Sequence, residues 1–134
     1  MALEWRDSFV TGIQEIDDQH KELFQIINKL FDACSQGKGK DEVKNVIDFL
    51  SDYVVRHFAT EESLQQQYNY PEYDAHKKLH EDFINEFSDI KKEFEAQGAT
   101  PMFVMQVNRR VVDWLIMHIG RVDKELGKFL KDKM

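Results

Sequence analysis

Five histidines, His20, His57, His76, His80 and His118, all fall on stripes of apolar residues. One histidine on such a stripe is ordinary core, satisfied by a single hydrogen bond. Five of five, at these spacings, point to shared chemistry. His57 and Glu61 are four residues apart, as are His76 and His80, and side chains at i and i+4 sit one above the other on a helix face. Glu61 and Asp123 also lie among hydrophobic neighbours close to histidines. A buried carboxylate without a partner is costly to desolvate. A metal ion meets the needs of both residue types, since it takes ionised carboxylates and neutral imidazoles together. Either pair alone could be chance. Their order on successive segments, with His20 before and His118 and Asp123 after, is specific. Donor type alone does not choose among iron, zinc, manganese and cobalt.

Something must hold these residues together, and the punctuation of the chain shows what. Gly37 and Gly39 mark one break, Pro71 a second, and Gly98 with Pro101 a third. Between the breaks, apolar residues recur every three or four positions, which is the helical period. Helices are expected over about 18–34, 41–67, 71–96 and 101–131, with Pro71 suited to a first turn. Short connections make sequential helices antiparallel neighbours. The expected fold is therefore all-α: an up-down-up-down antiparallel four-helix bundle. Residues 1–16 read as an extended arm, with Trp5, Phe9, Val10, Ile13 and Ile16 available to lie across the bundle.

Asp123 follows His118 by five residues, past the reach of a regular helical stripe, and Gly120 sits between them. Glycine costs about 1 kcal/mol against alanine inside a helix. A local π-type widening, or close packing at Gly120, is expected there.

Composition bounds the rest. At 134 residues and 15.9 kDa, one domain with a real core is expected. Hydrophobic residues at 42% and charged residues at 32% describe a globular chain. The net charge of −7 argues against a nucleic-acid binder, which needs a basic face, and against docking on anionic lipid. The run from Val111 to Ile119 is interrupted by Asp113 and His118 and is too short for membrane insertion. The first residues show no apolar leader. Cys34 is the single cysteine and forms no internal disulfide. A cytoplasmic protein is the expectation. Cys34 reads as a small core residue at a helix end. Lys124, Lys128, Lys131 and Lys133 complement the final helix dipole.

The chain resembles the hemerythrin family, and within it the stand-alone bacterial members. The resemblance rests on Trp5, the Gly12-Ile13…Ile16-Asp17…Gln19-His20 run, His57-Phe58…Glu61-Glu62, Tyr70-Pro71-Glu72…His76…His80, and Trp114-Leu115…His118-Ile119…Asp123. It covers about residues 5–130. The family fold is the bundle reached above from periodicity. The resemblance implies two non-haem iron ions, bridged by an oxo or hydroxo oxygen. His76, His80 and His118 would hold one iron, His20 and His57 the other, and Glu61 and Asp123 would bridge. Taken as octahedral, such a pair has one open position, on the two-histidine iron, where dioxygen binds in the family. Two ferrous ions, two carboxylates and a hydroxide leave a residual charge of about +1, small enough for a bundle core.

Reversible dioxygen binding, for storage, transport or delivery, follows as the expected function, with an unknown protein partner receiving the oxygen. The alternatives are oxygen, redox or iron sensing, or a di-iron oxidoreductase acting on peroxide or nitric oxide. The chain lacks the Glu-x-x-His motifs of carboxylate-rich di-iron bundles and shows no general acid or base at the open position, so no enzyme is expected. A sensor would need a separate signalling partner. A metal-free bundle would leave Glu61 and Asp123 unexplained.

An apolar pocket should shield bound oxygen. Helical geometry puts Trp114, Leu115 and Val122 beside His118, and Leu23, Phe24 and Phe58 near His20 and His57. Ile119 adjoins a ligand. Each could equally be plain core. Acceptors should orient the imidazoles through their other nitrogen: Glu72 for His76, and backbone carbonyls for the rest. One position departs from the family, which commonly has methionine where Gln65 stands. Two readings fit it. A polar amide facing the site could admit water and speed autoxidation; or Gln65-Gln66-Gln67 marks a helix end fraying in solvent.

Overall fold

The computed structural model describes residues 3–134. Four long helices run up-down-up-down: α1 (Gln14–Ser35), α2 (Lys40–Gln67), α3 (Tyr73–Gln97) and α4 (residues 101–133). Successive helices pack on one another. Among the described residues, no helix is long and apolar enough to cross a membrane.

The bounds follow from local chemistry. α1 begins at Gln14 rather than Asp18, because the fully buried Ile16 and the following Asp17 already belong to its inward face. The arm therefore ends at Ile13, and its first two residues lie outside the described ones. α3 begins at Tyr73 rather than at Pro71, which instead lies in a turn closed by the Tyr73 N–H donating to the Tyr70 carbonyl. α3 stops at Gly98, whose φ of 77° glycine adopts without strain. α4 starts on a built cap: Thr100 Oγ1 accepts from the Phe103 N–H at 3.1 Å, and Pro101 takes the first position.

α4 is not uniform. Two π segments, Asn108–Val112 and His118–Asp123, interrupt it. The second is the widening expected around Gly120. The first has no counterpart in the sequence reading, and it turns two adjacent valines, Val111 and Val112, into the core.

A large apolar cluster runs along the bundle and includes Leu23, Phe24, Leu30, Val43, Ile47, Phe83, Ile90, Phe94 and Phe103. Each such side chain contributes roughly 1.5–3 kcal/mol on burial. A smaller cluster of Ile13, Ile16, Leu126 and Leu130 closes one end, with Leu64, Tyr70 and Phe129 against it.

The arm lies across the bundle through Trp5 and Phe9, whose rings sit 5.5 and 5.4 Å from Phe24. Val10 does not join them and is exposed. Asp17 clasps the arm. Its carboxylate accepts from the Thr11 N–H (2.9 Å), the Thr11 hydroxyl (2.8 Å) and the Gly12 N–H (3.2 Å). It also faces the positive end of the α1 dipole. Thr11 is pressed so close to α4 that a Cβ on Gly127 would lie 2.3 Å from the Thr11 carbonyl oxygen. Gly127, not Gly120, is the glycine required by close packing: a Cβ at Gly120 would meet Phe9 at an ordinary 3.9 Å.

Candidate metal centre

Each helix delivers inward-facing polar residues to one level of the bundle: His20 from α1, His57 and Glu61 from α2, His76 and His80 from α3, and His118 and Asp123 from α4. The i, i+4 pairs reach it because four residues are close to one turn. His118 and Asp123 reach it because the π segment closes one turn over five residues. All seven are buried, and His20, Glu61, His80 and Asp123 have no exposure at all.

The donor atoms divide into two sets that share both carboxylates. Glu61 Oε2 lies 3.2 Å from His20 Nε2 and 3.0 Å from His57 Nε2. Its other oxygen, Oε1, lies 3.4 Å from His76 Nε2 and 3.2 Å from His80 Nε2. Asp123 repeats the division. Oδ2 faces His20 Nε2 at 3.1 Å, while Oδ1 faces His76 Nε2 at 3.0 Å and His118 Nε2 at 3.2 Å. One set has three histidines and the other two.

Within the cluster, carboxylates and imidazoles hold one another in their charged forms. Burial pulls the His20 and His76 imidazoles down, but the Asp123 and Glu61 carboxylates outweigh it and raise both to about 9. Burial likewise pushes Glu61 up, and the surrounding histidines more than reverse it, holding Glu61 well below the usual carboxylate range. Asp123 is held low too, with burial and repulsion from Glu61 overcome by His118 and His20.

Hydrogen bonds do not satisfy every atom of it. His76 Nε2 and His118 Nε2 meet at 3.1 Å, and His80 Nε2 and His118 Nε2 at 3.2 Å. The carboxylate atoms Glu61 Oε1, Asp123 Oδ1 and Asp123 Oδ2 have no hydrogen-bond partner. Such orphans are costly inside a protein. A cation on each side removes the cost. Nitrogen donors about 2.1 Å from a shared ion lie about 3.0–3.4 Å from one another at right or tetrahedral angles, matching the spacings above. The residues therefore fit two metal ions.

The supports of the rings differ from the expectation. Glu72 gives His76 only its backbone carbonyl, which accepts the His76 N–H at 2.9 Å. Three of the five imidazoles are met by side chains at Nδ1 instead, while His20 Nδ1 is buried with no partner. His57 Nδ1 faces Gln19 Oε1 at 2.7 Å, and His80 Nδ1 faces Glu62 Oε2 at 2.9 Å. The Gln19 amide also donates to Thr60 Oγ1, which fixes its oxygen toward His57. The third is Gln65, with its amide 3.1 Å from His76 Nδ1. Gln65 is fully buried, so it is not a frayed helix end. Its position was legible in the sequence, one turn after Glu61 on the same face. Gln19 and Glu62 carried a weaker signal, as neighbours of the ligands His20 and Glu61.

Around the donors the walls are aromatic and aliphatic. Phe58 stacks flat on His80, with ring centres 3.8 Å apart and 3° between planes. Trp114 stacks on His118 at 4.4 Å and 12°. Trp114 and His118, with Val122, also border a surface groove of about 700 Å3 between α3 and α4. Leu23, Leu115 and Ile119 are fully buried in the adjoining core, while Phe24 packs against the arm aromatics Trp5 and Phe9. The Cys34 thiol is only half-buried, and that burial raises its pKa.

Comparisons with known proteins agree with this geometry. The Hemerythrin HHE cation binding domain matches residues 11–130. A bacteriohemerythrin of Pseudomonas aeruginosa is 46% identical, over 98% of this chain and 88% of its own length. A bacteriohemerythrin of Methylococcus capsulatus is 38% identical over 91% of each chain, and a myohemerythrin of Sipunculus nudus is 30% identical over 92% and 91%. Among solved structures, a wild-type hemerythrin crystal structure superposes with a TM-score of 0.85 at 36% identity, covering 97% of this chain and 98% of that one.

Proposed function

This chain belongs to the hemerythrin family, and from that premise we propose that its buried cluster holds two iron ions and binds dioxygen reversibly, for storage or delivery. The observation that carries the proposal is the way Glu61 and Asp123 each divide their two oxygens between the histidine sets. His76, His80 and His118 would hold one ion, His20 and His57 the other, and the two carboxylates both. Iron there supplies electrons that can be lent to dioxygen and recovered when it leaves.

The protein's own residues do the rest. The set with two histidines is one donor short of its neighbour, so an ion held there would have a coordination position to offer a small ligand. Gln19 and Glu62 keep the ring protons of His57 and His80 on Nδ1, so that Nε2 is free to face the cluster. The buried Leu23, Leu115, Ile119 and Phe58 keep water from the donors. A dry site slows proton delivery, which favours releasing dioxygen intact over reducing it. The histidine-rich donor set supports binding rather than turnover, since carboxylate-rich Glu-x-x-His sites are the ones that recur in bundle oxygenases. Cys34, a single free thiol, suits the reducing cytoplasm.

Spectroscopy of the iron-loaded protein tests this. After reduction without air, oxygen should bring up a visible charge-transfer band that fades under vacuum and returns over repeated cycles. One-way conversion to the ferric form on first exposure would overturn reversible binding and favour an oxidoreductase or a sensor.

A further inference from the structure

Among the described residues, Gln65 is the one fully buried polar side chain that neither the metal cluster nor the arm clasp accounts for. It lies on α2 one turn after Glu61, and its amide reaches α3. Its Nε2 sits 3.1 Å from His76 Nδ1, and its Oε1 is buried with no partner. A half-turn of the terminal amide exchanges these two atoms without moving the side chain. The chemistry of the ring decides the orientation. His76 Nε2 faces the cluster shared with Asp123 and Glu61, where it would donate its lone pair to a metal ion, so its ring proton belongs on Nδ1, as for His57 and His80. An Nδ1–H needs an acceptor, and the only atom of Gln65 that accepts is its oxygen.

We infer that Gln65 is a positioning residue for the metal centre, its amide oxygen accepting the Nδ1–H of His76 and fixing that ring toward Asp123 and Glu61. This rests on the two-metal reading above. It also makes the two α3 ligands unequal. His80 is backed by the carboxylate of Glu62, whereas His76 is backed by a neutral amide. Hydrogen bonds to ionised acceptors are the stronger kind, so His80 is the more strongly polarised ligand of the pair. The amide does not loosen the site by admitting water. It holds one of its ligands in place.

The test uses the full chain loaded with zinc, which is diamagnetic and needs no oxygen chemistry. Nitrogen-15 correlation spectra locate the proton on each imidazole, and transfer to a chelator gives the rate of metal loss. In the unmodified protein the His76 proton should sit on Nδ1, shifted downfield and slow to exchange, with the His80 proton further downfield. Gln65→Met should erase the His76 shift and weaken metal retention by about ten- to a hundredfold. Gln65→Glu, which restores an acceptor, should recover the signal and most of the retention. A deprotonated Nδ1 on His76 overturns the inference without any variant. So does a His76 signal unchanged in Gln65→Met, or a Gln65→Glu protein that loses metal as fast as Gln65→Met. Failure to bind two zinc ions at all would overturn the two-metal reading instead, so the two failures are distinguishable.

Discussion

The two ends of this bundle are built from different materials. At one end Leu30, Val43, Ile47, Ile90, Phe94 and Phe103 meet with no titratable side chain among them. At the other, five imidazoles and two carboxylates crowd together beneath a small lid of Ile13, Ile16, Leu126 and Leu130. The dry end needs only close packing. The polar end carries orphaned carboxylate oxygens that packing cannot satisfy. The contrast divides the roles: the dry end fixes the helices, and the helices bring the seven donor residues to one level. Preorganisation of this kind is what a binding site requires of its scaffold.

Breaking the dry end should give the largest effect. Phe94→Ala should cost about 3–5 kcal/mol of stability in chemical denaturation, equally with and without metal, and leave the metal stoichiometry unchanged. A selective loss of metal binding would show that the ends are not independent. Metal removal probes the other end. At a thousandfold excess over its dissociation constant, metal should add about 4 kcal/mol, and pH should act oppositely on the two forms. His20 and His76 are raised from 6.5 to about 9 in the folded metal-free protein. Their stabilisation is present below pH 6.5 and is lost as pH rises toward 9. Metal competes with those same protons, so metal affinity should rise across that window. Denaturation at several pH values, with and without metal, checks both signs.

The lid sharpens the contrast further. Gly127→Ala sets a Cβ against the Thr11 backbone and should cost about 1–3 kcal/mol, read as a lower thermal midpoint. Gly120→Ala, with open contact distances, should be close to neutral by the same measurement. Of the destabilising changes the smallest is Thr11→Val, which removes the hydroxyl from the Asp17 clasp and should cost about 1 kcal/mol.

Much of this was legible in the chain itself. Stripe periodicity shows the four helices, and the spacing of seven donors shows where they must converge. The five-residue step from His118 to Asp123 even shows the π segment that the structure contains. The sequence does not reveal what depends on tertiary approach. Gly127 is essential only because Thr11, remote in sequence, comes within contact distance. Gln19 and Glu62 matter only through rings on other helices. Helix ends shifted where burial of Ile16 extended α1 and where Pro71 closed a turn rather than opening α3. The π segment at Asn108–Val112 had no marker residue such as glycine.

If the polar end holds two ions, they share one set of carboxylates. An anaerobic titration of the metal-free protein with ferrous iron, following bound iron and released protons together, tests it most directly. Saturation is expected at about two ions per chain, with net proton release on binding. Saturation at one ion, or binding without proton release, would contradict it.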